Sequence, residues 1–229
     1  METLPSLIGI TFVFTTILSV ILFFRAARNS KIVLIILLAW MALQGLVGQT
    51  EYLKQTDTMP PRLALMVLPT ILTIIALFAL PGGRRFIDTL DLKMLTLLHM
   101  VRIPVELVLF WLFLHQLVPQ IMTFEGRNLD IISGLTAPIV YYFFFIKKQM
   151  NSNFLILWNI ICLGLLFNIV GIAILSAPFP FQQFGLEQPN VAVLYFPFNW
   201  LPTVVVPLVL LSHLASIRQL INAALAIDK

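Results

Sequence analysis

The sequence predicts an all-α bundle that crosses a membrane, and two features indicate this class. Hydrophobic residues make up 60% of the 229 residues and charged residues only 10%, whereas about 25% of the residues in soluble domains are charged. A soluble domain of this size could not bury so much apolar surface. The apolar runs, such as residues 32–40, do not alternate with polar residues as the strands of a membrane barrel do. The predicted spans are therefore helices.

Seven stretches are long enough to cross a hydrocarbon core about 30 Å thick, which takes about 20 residues of helix. They lie at approximately 5–24, 32–52, 62–80, 96–118, 129–146, 153–175 and 191–215. We interpret the first as a retained helix rather than a cleaved signal peptide, because its positive charges follow the apolar run instead of preceding it. The loops are short, so we expect a single transmembrane domain over residues 1–229.

The charges of the loops predict the orientation. The segments that follow the first, third, fifth and seventh stretches contain ten basic and three acidic residues, whereas the opposite loops have a net charge of −3. Because Lys and Arg stay on the cytoplasmic side, we expect the N-terminus outside and the C-terminus inside. The chain is thus predicted to be a multi-pass protein of the cytoplasmic (inner) membrane.

Composition also excludes several classes of protein. Chains this hydrophobic and this poor in charge do not remain disordered. The net charge is +4, but no short stretch contains more than three Lys or Arg, so we expect no nucleic-acid partner. Cys162 is the sole cysteine, which excludes a disulfide scaffold. The expected partners are the lipid bilayer and a small molecule, and the sequence identifies no protein partner.

An internal repeat is predicted from two alignments of the chain with itself. A shift of 119 residues places Arg28 on Lys147, Gly45 on Gly164 and Gln49 on Asn168. The tripeptide Leu-Pro-Thr occurs at 68–70 in the third stretch and at 201–203 in the seventh. We expect a first repeat at about 5–80, a linker helix at about 96–118 and a second repeat at about 129–218. The single linker helix gives both repeats the same orientation, as in the parallel repeats of several transporters.

Seven helices with the N-terminus outside, in a three-plus-one-plus-three plan, resemble the transporter–opsin–receptor superfamily. Its members include sugar and vitamin transporters, microbial rhodopsins and, on some accounts, animal receptors. The resemblance covers most of the chain and lies in its topology. The seventh stretch has no Lys for a retinal Schiff base, and no Pro-Gln pair begins a helix. The resemblance therefore implies a fold, not a particular ligand.

The linker helix contains three ionisable residues, and such residues within a span are hypotheses of function by default. His99, Arg102 and Glu106 are spaced to lie on one helical face. Arg102 and Glu106 are four residues apart and are expected to form an ion pair, next to a kink at Pro104. We interpret the three as a ligand-binding or proton-coupling site. The alternative is an ion pair that only fixes helix packing.

Further polar residues are candidates at two depths. Asn159 and His213 lie nearer the cytoplasmic side and could line an inner cavity, although a helix–helix hydrogen bond and an interfacial position are the alternatives. Gln49, Asn168 and Asn199 lie in the outer half and are expected to supply hydrogen bonds to a ligand. With three His, one Cys and no HExxH motif, no metal site is predicted. No cofactor is expected, and a haem held by His99 and His213 is the alternative.

These features favour a protein that binds or transports a small molecule through a cavity between the two repeats. One alternative is an intramembrane enzyme that acts on a lipid or isoprenoid, with Glu106 as acid or base. Residues 104–106, Pro-Val-Glu, resemble part of the Pro-x-Glu-(Glu/Asp) motif of integral-membrane lycopene cyclases, although Leu107 replaces the second acid. A membrane sensor or accessory subunit is the further alternative, and it predicts a closed, dry bundle.

Overall fold

A computed structural model describes residues 4–227, with side chains described as far as Leu225. The described part of the chain is 73% helical and contains no strand. Its α-helices are α1 (Ser6–Ala26), α2 (Lys31–Gly48), α3 (Arg62–Ala79), α4 (Pro81–Thr89), α5 (Leu92–Leu98), α6 (Arg102–Leu114), α7 (Ile131–Tyr141), α8 (Ser152–Ser176) and α9 (Val206–Ile227). A 3₁₀ turn, His99–Val101, joins α5 to α6, and π-helical turns extend α7 at Tyr142–Ile146 and precede α9 at Leu201–Val205.

Six helical segments of the described part are long and apolar enough to cross a membrane, which indicates a multi-pass membrane protein. Five are α1, α2, α3, α8 and the continuous helix formed by α5 and α6; the sixth is Leu201–Leu225. The predicted fifth span, 129–146, corresponds to the shorter apolar helix Ile131–Ile146. Its 16 residues reach only about 24 Å, less than the hydrocarbon core of about 30 Å.

Local signals explain where several helices begin and end. Asp91 precedes α5 and accepts hydrogen bonds from the backbone N–H groups of Lys93 and Met94, so this helix starts earlier than predicted. The continuous helix of α5 and α6 ends at Leu114, before Gln116 takes a left-handed conformation with φ of 61°. Asn151 caps α8 in the same way by accepting from Phe154 N–H.

The predicted seventh span, 191–215, is shifted along the sequence. Residues 177–200 run across one end of the bundle, where the N–H groups of Asn190, Val191 and Phe196 donate to backbone carbonyls of three other segments. Apart from a 3₁₀ turn at Ala192–Leu194, the helix begins at Leu201 and continues to Ile227. We call this end, which also includes the loops 49–61 and 115–130, the outer side, following the charge prediction.

The helices differ in how much of each is buried. In the most apolar 18-residue window of each helix, 61% of the residues are buried in the Leu201–Leu225 segment and 50% in the Leu92–Leu114 segment, against only 22% in α2 and 11% in α3. The buried core is formed mainly by α1, α5, α6, α8 and α9. The exposed faces of α2 and α3 are apolar, as expected for surfaces in contact with lipid.

Candidate functional site

The predicted linker helix is the α5–α6 segment, and its three ionisable side chains all lie inside the bundle. His99, Arg102 and Glu106 are 0%, 3% and 1% exposed, as their shared face predicts. Pro104 lies in the first turn of α6, where backbone N–H groups have no helical partner in any case. A 3₁₀ turn at His99–Val101 lies directly before α6 and joins it to α5.

The loop 115–130 folds into the interior instead of remaining outside it. Asn128 is 0% and Asp130 5% exposed. Arg102 lies ten residues after Leu92, about 15 Å from the inner end of its helix, and it contacts Asp130 directly before α7. The short helix α7 thus begins near the middle of its neighbour. Irregular backbone at this depth is tolerated only where it is buried in protein or lines a cavity.

Arg102 connects this loop with α8 and α9. Its Nη1 donates to Asp130 Oδ1 at 2.8 Å and to the Cys162 carbonyl at 3.4 Å. Its Nη2 lies 3.1 Å from Nε2 of His213. The guanidinium therefore bridges one charged side chain, one imidazole and one backbone carbonyl.

The prediction that Arg102 and Glu106 form an ion pair is wrong. Glu106 Oε1 instead accepts a hydrogen bond of 2.6 Å from Asn128 Nδ2, and Glu106 Oε2 has no partner among the described residues. Asn128 Oδ1 accepts from the backbone N–H of Asp130 at 3.0 Å. The reason for the difference is the folded-in loop, which brings a second carboxylate to Arg102 and an amide to Glu106.

The hydrogen bonds determine the tautomer of His213. Arg102 can only donate, so Nε2 of His213 accepts and the ring is neutral. Its proton is then on Nδ1, which donates to Asn159 Oδ1 at 2.8 Å. Asn159 Nδ2 donates in turn to the Leu155 carbonyl at 2.8 Å. Asn159 and His213 are thus joined to Arg102 in one directed chain of hydrogen bonds.

His99 adjoins this chain through its ring. It stacks on His213 with ring centroids 3.8 Å apart and an interplanar angle of 16°, and Trp158 packs edge-on at 5.5 Å. Neither ring nitrogen of His99 has a hydrogen-bond partner in the described part of the chain. We refer to the following residues as the charged network: His99, Arg102, Glu106, Asn128, Asp130, Asn159 and His213.

The stacked imidazoles do not fit the haem alternative. Two axial histidines present one nitrogen to each face of a haem, whereas these rings lie face to face at 3.8 Å with no space for a macrocycle between them. Over residues 4–227, no group of three or more His, Cys, Asp or Glu side chains is arranged to hold a metal ion.

Asn199 belongs to a second, uncharged set of polar side chains at the start of the last helix, all buried except the half-buried Trp40. We call it the amide–indole cluster, and its members are Trp40, Gln44, Asn199, Trp200 and Thr203. Its side-chain N–H groups donate to backbone carbonyls: Asn199 to Gln44 at 2.6 Å, Trp200 to Met41 at 3.0 Å and Trp40 to Thr203 at 2.9 Å. These bonds attach α2 to the first turns of the last helix.

Gly48 leaves the space that Asn199 occupies. A Cβ at this position would lie 2.6 Å from Asn199 Nδ2, closer than any side chain allows. Gln44, one turn earlier on α2, is fully buried, and its Oε1 has no partner in the described part, like Oδ1 of Asn199. Gln44 was not among the residues predicted from the sequence, whereas Gln49 was.

The other two residues of the predicted outer set are not part of this interior. Gln49 directly follows α2 and is exposed. Asn168 is also exposed, and its Nδ2 donates to the Arg127 carbonyl at 2.9 Å. The structure therefore does not bring Gln49, Asn168 and Asn199 together around one ligand site.

The two Leu-Pro-Thr segments do contact one another. Oγ1 of Thr70 on α3 donates to the carbonyl of Thr203 at 3.5 Å. Pro207 lies four residues after Thr203 and has no N–H, so this carbonyl is free to accept from Thr70 and Trp40.

The interior is closed around the charged network, whose members are at most 5% exposed. An enclosed pocket between α1, α6 and the start of the last helix holds about 10 Å³, room for about one water molecule. Its lining is apolar except for Asn190 and includes no residue of the charged network. The side chains of the charged network are therefore closed off from solvent in this conformation.

A family model described as "Domain of unknown function (DUF8737)" matches residues 59–221. The match includes every residue of the charged network, whereas α1 and α2 precede it. Neither a curated protein nor a solved structure matched the chain.

Proposed function

The chain belongs to the DUF8737 family, and we propose that it binds or transports a small molecule at the charged network. The observation behind this proposal is the set of contacts made by Arg102. One buried guanidinium bonds side chains from the loop 115–130 and from α9, and also the backbone of α8. Ionisable groups inside a membrane are expensive, and they typically mark substrate and ion pathways.

Packing alone gives little reason for such a network. Apolar side chains of similar volume are often as stabilising as a buried ion pair, or more so. The network also leaves buried polar atoms without partners in the described part: Nε of Arg102, Oε2 of Glu106 and both ring nitrogens of His99. Each such atom costs about 1–3 kcal/mol, and a bound polar molecule would satisfy them.

The irregular segments around the network favour transport. The short α7, the folded-in loop before it and the π-helical start of the last helix all interrupt regular spans. Transporters commonly form their binding sites from discontinuous helices near the middle of the bilayer. We propose that the loop 115–130 moves away from α6 when the site opens, since it provides the partners of both Arg102 and Glu106.

The finer topology is part of the same proposal: seven spans, an N-terminus on the outer side, residence in the inner membrane and two parallel three-helix repeats about a linker helix. The contact between Thr70 and Thr203 supports the repeat. Residues related by a twofold axis meet their own counterparts close to that axis. The axis would then pass between α3 and the start of the last helix.

The closed interior favours a second candidate, a membrane sensor or accessory subunit. Such a protein needs no continuous path through the bundle, and the enclosed pocket holds only about 10 Å³. The enzyme alternative has less support, because Glu106 is 1% exposed and is enclosed by α6 and the loop 115–130. An enzyme acting on a lipid would need a lateral opening to this carboxyl group.

The proposal is tested by mass spectrometry of the water-soluble molecules and lipids that co-purify with the protein. We expect a water-soluble molecule that is present with the wild type and strongly reduced with Glu106→Gln, which keeps the shape of the side chain and removes its carboxyl group. Gln49→Ala is the matched control and should retain the molecule. A molecule retained equally by both variants would contradict the assignment, and a specific isoprenoid lost with Glu106→Gln would favour the enzyme.

A further inference from the structure

Of the two carboxyl groups in the charged network, only that of Asp130 has a cationic partner within the described residues, since its Oδ1 lies 2.8 Å from Arg102 Nη1. Glu106 is 1% exposed, and its Oε1 accepts a hydrogen bond of 2.6 Å from the neutral amide of Asn128. Its Oε2 has no partner in the same part of the chain. An ionised carboxylate that is buried without a cation costs so much free energy that such a group takes up a proton instead.

The sum of the charges in the network also favours a proton on Glu106. Arg102 supplies one positive charge, and the hydrogen bonds of His213 leave that ring neutral. His99 is neutral as well, because it is fully buried near Arg102 and has no acceptor for a second N–H among the described residues. Two ionised carboxylates would therefore give the closed interior an excess of one negative charge. One proton on Glu106 removes this excess and leaves the pair of Arg102 and Asp130 intact.

We propose that Glu106 carries a proton while the loop 115–130 is closed, and that it releases this proton to the outer side when the loop moves away. This inference rests on the proposed function and specifies its coupling ion. On release, the O–H bond at Oε2 breaks, the proton passes to water, and the carboxylate that remains is hydrated. Asn128 leaves Glu106 in the same movement, because it belongs to the loop. Each opening of the site is thereby coupled to one proton.

Few groups around Glu106 could stabilise its ionised form while the loop is closed. The charged groups that act on it are Arg102 on its own helix and Asp130 before α7, and these two are paired with each other. The neighbouring helix α1 presents hydroxyl groups that already donate to carbonyls of their own helix, namely those of Thr15, Thr16 and Ser19. The other titratable groups of the surrounding elements are either buried and neutral or exposed to solvent, and they are His99 before α6, Glu125 and Arg127 in the loop, Cys162 on α8 and His213 on α9. Water reaches the carboxyl group when the loop opens, and ionisation then becomes favourable.

The proton itself is tested by infrared spectroscopy of the protein in nanodiscs of phosphatidylcholine and phosphatidylglycerol. At about pH 7 an ordinary glutamate, with a pKa of about 4.3, is ionised, and the other glutamates of the described part, Glu51, Glu125 and Glu187, are exposed. We expect the carbonyl band of one protonated carboxyl group, which shifts when glutamate is labelled with ¹³C and is absent in Glu106→Gln. The matched control Glu125→Gln should keep the band. A wild type without this band, or a band that persists in Glu106→Gln, would overturn the proposal, and the ¹³C shift decides the matter if that variant does not fold.

The coupling to the loop is tested by hydrogen exchange of the backbone amides in the loop 115–130, with the wild type and Glu106→Gln compared at equal pH. The glutamine resembles the protonated form and cannot ionise. Because the closed form binds one more proton than the open form, a rise in pH favours opening of the wild type alone. The two proteins should exchange alike near the ordinary carboxyl pKa of about 4.3.

Above this pH the ratio of the two exchange rates should rise by up to about tenfold for each pH unit, until the closed form loses its proton as well. A ratio that does not change with pH would show that the proton does not control the loop, and it would overturn the proposal. Neither measurement requires a small molecule, so a failure here leaves the co-purification result intact, and the reverse also holds.

Discussion

The charged network and the amide–indole cluster are both buried and polar, but they are bonded in different ways. In the amide–indole cluster, side chains such as Trp200 and Asn199 donate to backbone carbonyls of a neighbouring helix. In the charged network, side chains of different elements bond one another, as Arg102 does with Asp130 and His213. A backbone carbonyl stays where its helix is, whereas a side-chain partner can be exchanged. We therefore interpret the first set as an attachment between helices and the second as a site that can rearrange.

The N-terminal and C-terminal helices of the chain also differ in the polar groups that they bury. The helices α2 and α3 are mostly exposed and apolar, and polar bonds from Asn199, Trp200 and Trp40 connect α2 to the last helix. The buried charges all lie on or between α6, α7, α8 and α9. If the two sets of three helices are repeats, they share a plan and differ in what they bury.

The largest effect is expected from removing one member of the buried ion pair. Asp130→Ala leaves Arg102 charged and unpaired inside the bundle, which typically costs about 3–5 kcal/mol. Reversible unfolding in mixed micelles measures this loss of stability. The matched control is Asp88→Ala, which breaks the more exposed pair with Arg218 and should cost about 0–1 kcal/mol. Equal losses in the two variants would remove the distinction between the network and an ordinary surface pair.

A smaller loss is expected from crowding the amide–indole cluster. In Gly48→Ala the new methyl group displaces the Asn199 amide and with it the bond to the Gln44 carbonyl, at a cost of about 1–3 kcal/mol. The same unfolding measurement applies. Gly164→Ala on α8 is the control, because no atom lies within 4 Å of the added Cβ, and this variant should gain up to about 1 kcal/mol. A Gly48→Ala protein as stable as the wild type would show that Asn199 does not attach α2.

Removing a single indole N–H should have a modest effect. Trp200→Phe keeps most of the ring and loses the bond to the Met41 carbonyl, so we expect a loss of about 0.5–1.5 kcal/mol with no change in the co-purifying molecule. Trp111→Phe on α6 is the control, since its N–H makes no hydrogen bond in the described part of the chain. Loss of the molecule with Trp200→Phe would move the amide–indole cluster into the binding site.

The smallest effects are expected at Gln49 and Asn168, the two exposed amides among the residues predicted in the outer half of the bundle. Gln49→Ala and Asn168→Ala should each change stability by no more than about 0.5 kcal/mol, because neither side chain is buried. Both variants should keep the co-purifying molecule in the mass-spectrometric comparison. A strong loss of the molecule in either would restore the site predicted between the two repeats.

Helices and their buried faces could be predicted because their signals are local. The apolar stretches predicted a bundle of membrane-crossing helices, of which six are long enough, whereas the fifth is shorter and the seventh begins later than expected. The spacing of His99, Arg102 and Glu106 predicted their common burial. The partners of these residues could not be predicted in this way. Asp130 begins the predicted fifth span, 129–146, and Asn128 directly precedes it, and the depth of this segment depends on contacts with distant segments.

One sequence signal for the folded-in loop was available. The apolar run that follows Asp130 ends at Ile146, and a helix of that length reaches only about 24 Å. A run this short indicates that its N-terminal end lies inside the bilayer, together with the polar residues that precede it. Gln44 is buried and Gln49 is exposed, because α2 ends at Gly48 and Gln49 lies just beyond it.

The most direct test of the central claim uses a double variant, Arg102→Met with Asp130→Leu. Replacing both members of a buried ion pair with apolar side chains is often neutral or stabilising by about 1–4 kcal/mol, so the fold should survive. We predict that this protein unfolds no more easily than the wild type and has lost the co-purifying water-soluble molecule. A double variant that keeps both its stability and the molecule would show that the Arg102–Asp130 pair only fixes helix packing.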